Sequence, residues 1–487
     1  MTRKTSPPAR RGGILSFRWY FMQNVTLTLE PGAKTPMYEQ LYQYFAGGIR
    51  TGRLGRGERL PGKRALCAHL GVSRSTVETA YGLLVAEGYV CAKPQSGYYV
   101  SDDLSFDAAP ALCGAPEAGV LAAIPETPEE TPEFDFSTAA VDTSLFPYAS
   151  WAKLNKEIVY GAPELLQRGD RQGDAALRRA LCAFLSEYRG VRCAPEQIVV
   201  GAGMEYLSGL LLQLFPRDAV FAAEDPGYAA FYHTLRAHGR PVLLLPLDAD
   251  GLDPHALEAS DASIAYTTPS HQFPLGVTMP AGRRSRLLRW AAAAPERYLI
   301  EDDYDSEFRY ASRPVPAMQG IDSAGRVVYV GTFSRSLAPS IRVAYMVLPP
   351  ILLERYRALS GYRLSTVSRY EQAVLARFLS EGLYARYLRR IGNLYRRRRA
   401  ALLAALEAID GVEISGSGGG LHFLLTNRRF SEPELLSRAL EQGIALRGLS
   451  AYCIEHPAPP STLLIGYGGL ADDRIAEAAR RLALAWS

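Results

Sequence analysis

The first regular pattern of apolar and polar residues begins near Pro36 and has the period of a helix. Apolar side chains recur three and four residues apart at Tyr38, Leu41, Tyr42, Phe45 and Ile49. Residues with this spacing share one face of a helix, so the segment is predicted to bury one face and expose the other. We expect this helix to end near Gly52, because glycine commonly follows a last helical turn.

The next pattern predicts two helices joined by a short turn. A helix over about 62–70 precedes a Gly-Val turn, and Ser73 opens a longer helix because its hydroxyl can cap free backbone amides. The apolar residues expected to face the core are Val77, Ala80, Tyr81 and Leu84. The residues left outward near the helix start are Arg74, Ser75, Glu78 and Thr79. This is helix-turn-helix spacing, in which the second helix presents its first residues to base edges.

Two further patterns complete the predicted organisation. The segment YVCAKPQSGYYV alternates like two short strands around a turn, which predicts a β-hairpin wing. Farther along, strand-like and helix-like segments alternate, as is typical of an α/β domain on a mostly parallel sheet. The predicted parts are a loose basic arm over 1–34, a winged helix-turn-helix domain over 35–100, an acidic Ala/Pro-rich linker over 101–133 and an α/β domain over 134–487.

Charge is distributed unevenly along the chain. Residues 1–100 contain 14 Lys or Arg and 5 Asp or Glu, whereas residues 101–133 contain 8 Asp or Glu and no Lys or Arg. A basic head followed by an acidic linker favours a polyanionic partner, and DNA matches the predicted helix-turn-helix. A later basic run over 386–400 is interpreted as a solvated helix face rather than a nucleic-acid patch.

The remaining composition is that of an ordinary globular protein, with 48% hydrophobic and 21% charged residues in a chain of 487. No apolar run reaches the ~20 residues that span a bilayer, and no signal-peptide core is found, so we expect a cytoplasmic protein without a membrane partner. Six cysteines are scattered without metal-ligand spacing, so we expect buried, reduced thiols and no metal site.

The stretch VVYVGTFSRSLAPSIRVAYM, residues 327–346, predicts a buried strand, a turn at GTFS and a second strand. Side chains in such a turn point into a cleft. With Asp302 and Tyr304 upstream, the stretch resembles the cofactor-lysine region of fold-type I aminotransferases, specifically the aminotransferase-like half of the MocR/GabR bacterial transcription regulators. The predicted fold class is therefore α/β, a fold-type I pyridoxal phosphate-dependent aminotransferase-like domain with an N-terminal winged helix-turn-helix domain.

In that family the turn reads GTFSK, and its lysine forms the Schiff base with pyridoxal 5'-phosphate. Here it reads GTFSR, and Arg335 stands at the lysine position. A guanidinium stays protonated at physiological pH and is a poor nucleophile. We therefore predict no catalytic residue at this position and a loss of transamination. The cofactor is expected to be held noncovalently at most, or to be absent.

The resemblance also implies which residues surround the cofactor. They are Gly203, Met204, Tyr228, His271, Gln272, Asp302, Tyr304, Thr332, Ser334 and Arg342. In the family, the counterpart of Asp302 pairs with the pyridine nitrogen and a glycine turn before a helix seats the phosphate. Met204 and Glu205 depart from this pattern, since relatives carry small polar residues there. A carboxylate about 4 Å from a phosphate costs roughly 4 kcal/mol unless it points away.

Near the beginning of the chain, LPGKR, GVSRSTV, AYGLLVAEGYV and SGYYV resemble the winged helix-turn-helix of GntR-type regulators. The residues that this resemblance places at the major groove or its phosphates are Arg64, Ser73, Arg74, Ser75 and Thr76. Those that it places along the minor groove are Gln95, Ser96 and Gly97.

Both resemblances favour one hypothesis. They imply that this chain is a transcription regulator whose head binds operator DNA. Its body is expected to form a head-to-tail homodimer and to sense a small-molecule effector, either an amino acid or a phosphate-containing ligand. Two alternatives stay open. A working aminotransferase with a DNA-binding domain requires the lysine that this chain lacks, and a purely structural dimerisation platform has an empty or repurposed cofactor site.

Overall fold

The computed structural model describes residues 27–104, 132–310, 315–361 and 363–486. The chain divides into two compact units, residues 1–129 and 130–487, and the boundary falls within the predicted linker over 101–133. Most of the predicted arm and linker, together with Cys113, lie outside the described residues. The first unit is described over 27–104 and the second from residue 132 onward.

Residues 27–104 of the first unit form three helices and a hairpin. Its helices are α1 Met37–Arg50, α2 Lys63–Leu70 and α3 Arg74–Ala86, and its strands are β1 Val90–Lys93 and β2 Gly97–Val100. The two strands pair antiparallel, as the predicted wing requires. The predicted inner face of α3 is buried, and the Tyr81 hydroxyl donates to the Pro61 carbonyl at 2.9 Å. This bond ties the recognition helix to the segment before α2.

The second unit is built on a large central sheet with smaller sheets beside it. Its strands are β3 Phe134–Asp135, β4 Ile198–Gly201, β5 Phe221–Asp225, β6 Val242–Asp248, β7 Gly251–Leu252, β8 Ile264–Thr267, β9 Tyr298–Asp302, β10 Val327–Thr332, β11 Ala344–Val347, β12 Val412–Ser415, β13 His422–Asn427, β14 Ile444–Ala445, β15 Arg447–Gly448 and β16 Thr462–Gly466. The central sheet has the order β4-β11-β10-β9-β8-β5-β6-β7. Its middle strands β10, β9, β8, β5 and β6 run parallel, while β11 and β7 are antiparallel to their neighbours.

Helices cover this sheet and support a second, antiparallel sheet of order β12-β13-β16-β15. The helices are α4 Tyr148–Gly161, α5 Ala175–Arg189, α6 Met204–Leu212, α7 Ala229–Ala237, α8 Pro254–Glu258, α9 Ala281–Ala292, α10 Met318–Ile321, α11 Pro350–Leu359, α12 Arg369–Ser380, α13 Leu383–Leu406, α14 Glu432–Glu441 and α15 Ile475–Ala485. A mostly parallel sheet covered by helices confirms the predicted α/β class.

The central strands explain where a site can form. Every residue of β5, β8 and β9 is buried, so these strands read as apolar runs until their last residues. Their carboxyl ends, with that of β10, lie at the same edge because the strands are parallel. Asp302 and Thr332 end β9 and β10 at this edge, where ligands bind in open α/β sheets.

Two expectations need correction. The basic run over 386–400 lies in α13, but Arg398 is buried and its guanidinium pairs with Asp142 at 2.7 Å and with Asp472. The five described cysteines are half-buried rather than fully buried, and each is a free thiol. Within the described ranges, no helix is long and apolar enough to cross a membrane.

Candidate functional site

The start of α3 forms an exposed polar surface on the first unit. Ser73 caps the helix, with its hydroxyl accepting a hydrogen bond from the Thr76 amide at 3.2 Å. The same hydroxyl lies 2.8 Å from those of Ser75 and Thr76. Ser73 therefore holds the helix start in shape, and Ser75 remains exposed beside it.

Arg74 is the most prominent cation of this surface, with 68% of its side chain exposed. Its Nε pairs with Glu78 Oε1 at 3.0 Å, and Lys63 Nζ lies 3.5 Å from the same oxygen. The hydrogen bond from Arg74 lowers the pKa of the Glu78 carboxyl. Because Nε is the only nitrogen of this guanidinium that is hydrogen-bonded to another described residue, the two terminal nitrogens of Arg74 can make a bidentate contact. Arg64 is also exposed, on α2.

The wing presents the second predicted set of contacts. Gln95 and Gly97 have positive φ angles of 58° and 122°, which form the tight turn between β1 and β2. The Ser96 hydroxyl lies 2.7 Å from the Tyr99 hydroxyl, and its carbonyl accepts from Arg59. Arg59 was not predicted from the sequence. In the sequence, this residue is marked only by its position just before the turn into α2. In the structure, residues 58–60 pair with β2, which brings Arg59 to the wing.

The second unit has a cavity of about 130 Å³ at the carboxyl edge of the central sheet. The residues that line it are Met204, Glu205, Tyr228, Thr268, Phe273, Asp302, Tyr304, Thr332, Ser334, Arg335 and Arg342. Seven of the ten predicted cofactor contacts are among them, together with Arg335. The structure therefore brings together side chains from residues 204 to 342 that the sequence related only through resemblance.

Asp302 forms the floor of the cavity and is 4% exposed. The Tyr266 hydroxyl donates to its Oδ2, whereas its Oδ1 is buried without a hydrogen-bond partner among the described residues. Burial raises the pKa of Asp302 to about 7, opposed by the Tyr266 hydrogen bond. An unpaired buried carboxyl oxygen is costly, so it suits a ligand that brings a proton donor to this point.

A hydrogen-bonded group supports Tyr304 from behind. The Tyr304 hydroxyl donates to the His271 carbonyl at 2.9 Å, and His271 Nδ1 lies 3.0 Å from that hydroxyl and 2.9 Å from Asp305 Oδ2. His422 packs against His271 with their ring centroids 4.6 Å apart. Gly420 has to be glycine here, because a Cβ would lie within van der Waals radii of the His271 ring.

His271, Asp305 and His422 offer ligand atoms within 4.8 Å of one another. No metal site was expected from the sequence. His271, Asp305 and His422 are too far apart along the chain to form a recognisable motif. His271 Nδ1 is already engaged by Asp305 and Tyr304. In the structure the group therefore acts through Tyr304, which it holds against the cavity.

The opposite end of the cavity is suited to an anion. We call Gly203, Thr332, Ser334 and Arg342 the anion cup. The Ser334 amide donates to Thr332 Oγ1 at 3.2 Å, and Thr332 Oγ1 donates to Ser334 Oγ at 3.1 Å. Gly203 caps α6 at φ 87° and Arg342 has φ 51°, so both adopt left-handed backbone at the cup. Helix starts and arginines both attract anions, but Arg342 already pairs with Glu205.

Arg335 lines the same cavity as Asp302 and Arg342. Its side chain is half-buried and lines the cavity, and no hydrogen bond or ion pair joins it to another described residue. Its charge reaches the neighbouring groups: it opposes the burial that raises the pKa of Tyr228 to about 12, and it adds to the burial that lowers the pKa of His422. A guanidinium held this way lacks a counterion within the described part of the chain.

Three predicted contacts do not line the cavity. His271 supports Tyr304, and Gly203 lies beneath the side chains of the cup. Gln272 donates through Nε2 to Glu224 Oε2 at 3.1 Å and to the Pro226 carbonyl at 3.1 Å. Gln272 therefore holds the loop after β8 against the end of β5 instead of facing the cavity.

Several residues behind the cavity wall were not predicted from the sequence. Glu224 is fully buried and accepts hydrogen bonds from Thr267 and Thr268, and burial raises its pKa. Tyr266 supports Asp302, yet in sequence it belongs to an apolar strand and gives no chemical signal. Asp303, next to Asp302, pairs with Arg189 at 2.6 Å. The acidic run at the end of β9 is visible in the sequence. The sequence does not show that Asp302 lines the cavity whereas Asp303 pairs with Arg189.

The cavity fits the pyridoxal phosphate cofactor of related folds in its donor set. Asp302 Oδ1 can meet a ring nitrogen, Tyr304 faces the same space, and Arg342 with the two hydroxyls of the cup can meet a phosphate. Among the described residues that line the cavity, none is a lysine that could offer an amine. The volume of about 130 Å³ is below the roughly 300–1,000 Å³ usual for drug-sized ligands.

Comparisons with protein families match both units. Residues 37–100 match the family described as bacterial regulatory proteins, gntR family. Residues 134–482 match aminotransferase class I and II. The two matches fall on the two compact units.

Full-length relatives combine the same two parts. The chain is 37% identical to the uncharacterized HTH-type transcriptional regulator YdeL of Bacillus subtilis, covering 95% of this chain and 99% of the relative. It is 34% identical to the probable rhizopine catabolism regulatory protein MocR of Rhizobium meliloti, over 91% and 92%. It is 30% identical to the pyridoxine biosynthesis regulator PdxR of Corynebacterium glutamicum, over 93% and 97%.

Solved structures match the second unit. Kynurenine aminotransferase of Pyrococcus horikoshii is 26% identical with a TM-score of 0.65, covering 74% of this chain and 91% of that protein. The α-aminoadipate aminotransferase LysN of Thermus thermophilus is 28% identical with a TM-score of 0.64, covering 72% and 92%. The second unit is thus similar in fold to working aminotransferases.

Proposed function

Because the chain belongs to the MocR-type transcription regulators, in which a gntR-family DNA-binding domain is joined to an aminotransferase class I and II domain, we propose that its cavity senses a small anion without transaminating it. The first unit binds operator DNA through α3 and the wing. The second unit reports the effector. The proposed domain bounds are 35–100 and 134–487.

The observation that carries this proposal is the environment of Arg335. Its guanidinium occupies the position of the family's lysine, lines the cavity and has no partner among the described residues. A permanent cation is a poor nucleophile but a strong anchor for a carboxylate or phosphate. The residue that would have to start covalent chemistry is thus suited to binding instead.

Two ligand classes suit this cavity, an amino acid and a phosphate-containing ligand. Asp302 Oδ1 can accept a proton from an ammonium or a ring nitrogen, while Arg335 and Arg342 can meet negative groups. Pyridoxal phosphate belongs to the second class, and it would supply an electron-withdrawing ring if it binds. The residues that would hold it noncovalently are Tyr228, Asp302, Tyr304, Thr332, Ser334 and Arg342.

The wider assignment follows from the family. We propose a homodimer in which two second units associate head to tail, located in the cytoplasm where operator DNA is accessible. The exposed start of α3 and the cations of the wing support the DNA contact, with Arg74 reading bases and Arg64, Arg59 and Lys93 facing phosphates.

The test is a cofactor experiment on the full chain. Purified protein is incubated with pyridoxal phosphate, its absorbance is recorded, and borohydride is added before denaturation and mass measurement. We expect no covalent adduct at residue 335 and no transamination of common amino acids. A trapped adduct with turnover near the 1–10³ per second of ordinary enzymes would establish the aminotransferase alternative.

A further inference from the structure

The Glu205 carboxylate occupies the mouth of the anion cup. Glu205 lies in the first turn of α6, and its Oε2 pairs with Arg342 Nη2. Both groups crowd the open side of Gly203, where a Cβ would lie 2.9 Å from Arg342 Cζ and 3.0 Å from Glu205 Oε2. The arginine and the helix start, the two features of the cup that attract an anion most strongly, therefore already face a carboxylate of this chain.

We propose that Glu205 is an internal competitor for the anion cup. Before a ligand binds, its carboxylate neutralises Arg342. A ligand phosphate reaches Arg342 only after Glu205 has turned away. This inference rests on the proposed function, because it concerns the same sensing cavity, and it adds a residue that sets which anions the cavity accepts.

The exposure of the pair makes this exchange feasible. The Arg342 side chain is 49% exposed and that of Glu205 is 58% exposed. Glu205 can therefore rotate into water without leaving a buried charge unpaired, and the pair is weakly stabilising because solvent screens it. A buried pair of the same geometry would hold the cup closed.

Charge explains the selectivity that follows. Two anions at one arginine repel each other, at a cost that solvent screening reduces but does not remove. A phosphate carries close to two negative charges and offers more acceptor oxygens than a carboxylate, so it displaces Glu205 more readily. The cup is therefore selective for ligands with a doubly charged group over ligands with a single carboxylate.

The cavity volume agrees with an occupied cup. The space that remains, about 130 Å³, is bounded at this end by Glu205 and Arg342 together. Movement of Glu205 toward solvent enlarges the space beside Thr332, Ser334 and Arg342, which already line the cavity. The ligand's charged group then lies where the carboxylate was.

Equilibrium dialysis of the full chain tests the inference. The probes are pyridoxine 5'-phosphate, which has no aldehyde and cannot react with amines, and pyridoxine, which lacks the phosphate. We expect Glu205→Gln to bind pyridoxine 5'-phosphate at least about tenfold more tightly than wild type, since it removes the competing charge and keeps the side-chain shape. Pyridoxine binding should stay the same.

Two variants control for charge and for folding. Glu205→Asp keeps a carboxylate near Arg342 and should not bind the phosphate ligand more tightly than wild type. Glu354→Gln removes the same charge from an exposed position of α11 and should match wild type. Orthophosphate should compete with pyridoxine 5'-phosphate in Glu205→Gln at lower concentration than in wild type.

Three results would overturn the competitor role. These are equal affinity of wild type and Glu205→Gln for the phosphate ligand, no binding by either protein, and an equal gain for pyridoxine. Operator footprints of the same proteins separate this outcome from the proposed function. A sequence-specific footprint without an effect of Glu205→Gln on ligand binding would support the regulator function and contradict the competitor role. A gain in affinity for the phosphate ligand without a footprint would support the competitor role and contradict the regulator function.

Discussion

Three charged residues determine which ligands the cavity can hold. Arg335 supplies a cation with no partner among the described residues, Arg342 supplies a second cation that Glu205 neutralises, and Asp302 offers an unpaired oxygen at the floor. A ligand that satisfies all three brings a proton donor to Asp302 and negative charge to the two arginines. Amino-acid phosphates carry an ammonium, a carboxylate and a phosphate, and phosphorylated pyridines carry a ring nitrogen and a phosphate.

The first prediction at this scale concerns Arg335→Lys. A lysine amine can lose its proton and attack an aldehyde, and seven of the ten predicted cofactor contacts line the same cavity. We expect the variant, but not wild type, to become covalently attached to pyridoxal phosphate after borohydride reduction, as measured by mass spectrometry with peptide mapping. Arg335→Gln is the control, since it removes the cation without adding an amine. A folded Arg335→Lys protein without adduct would mean that the cavity has changed beyond one residue.

The second prediction concerns Asp302 and pH. The pKa of Asp302 in the folded chain is about 7, above the ordinary 3.8. At a pH between these two values, the carboxyl is therefore protonated in the folded state and ionised in the unfolded state. The stability from Asp302 is therefore present at low pH and declines as pH rises toward 7. Asp302→Asn cannot ionise, so its melting temperature relative to wild type should be higher at pH 8 than at pH 5. The exposed Asp218→Asn is the matched control, and a pH-independent difference for Asp302→Asn would contradict the assignment.

At the scale of single elements, the proposed recognition rests on two helix starts. The α6 start faces the cavity, and the α3 start faces solvent where DNA can approach. Both end a tight turn and both present backbone amides, but their side chains differ. Glu205 repels an anion at α6, whereas Ser73 and Arg74 attract one at α3.

The prediction for α3 is a loss of sequence specificity in Arg74→Ala. An arginine at the start of a recognition helix contacts guanine with two hydrogen bonds, worth roughly 1–3 kcal/mol of discrimination. Arg74→Ala should therefore bind operator and random DNA with more similar affinities in a fluorescence anisotropy titration. Lys93→Ala, on the wing, should weaken both equally and reduce the salt dependence by about one unit of slope. If the ratio of operator affinity to random-DNA affinity is unchanged in Arg74→Ala, Arg74 does not read bases.

At the scale of the whole molecule, charge and fold separate the two tasks. The net charge is +4, but the first hundred residues carry 14 Lys or Arg against 5 Asp or Glu. DNA affinity therefore originates in the first unit. The second unit supplies the ligand cavity and a much larger core, in which several clusters of apolar side chains pack on the central sheet.

The prediction at this scale is that residues 134–487 alone are dimeric and inactive. The aminotransferase-like unit has its own core, and the proposed dimer interface belongs to it. Light scattering should give twice the monomer mass, and assays with common amino acids and pyridoxal phosphate should give no transamination because no cavity residue supplies the amine. A monomer with normal secondary structure would contradict the proposed assembly.

The sequence by itself determined the elements and the absence of the lysine. Helices such as α1 and α3 are readable because their apolar residues repeat within a few positions, and Ser73 caps locally. The interpretation of Arg335 also depends on a short segment, because it follows from the GTFSR turn that contains this residue. The parallel sheet and the acidic end of β9 were also predicted, since buried strands and polar strand ends leave continuous patterns.

Only the tertiary structure decided which charges meet. Arg342 pairs with Glu205 across 137 positions, and the Tyr266 hydroxyl reaches Asp302 across 36. Arg398 is buried, and its ion-pair partner Asp142 lies 256 positions away in the sequence. Sequence patterns record which residues face the core, but they carry no information on the partner of a buried or half-buried charge. That partner is set by strand order and loop path, which bring distant segments to one edge of the sheet.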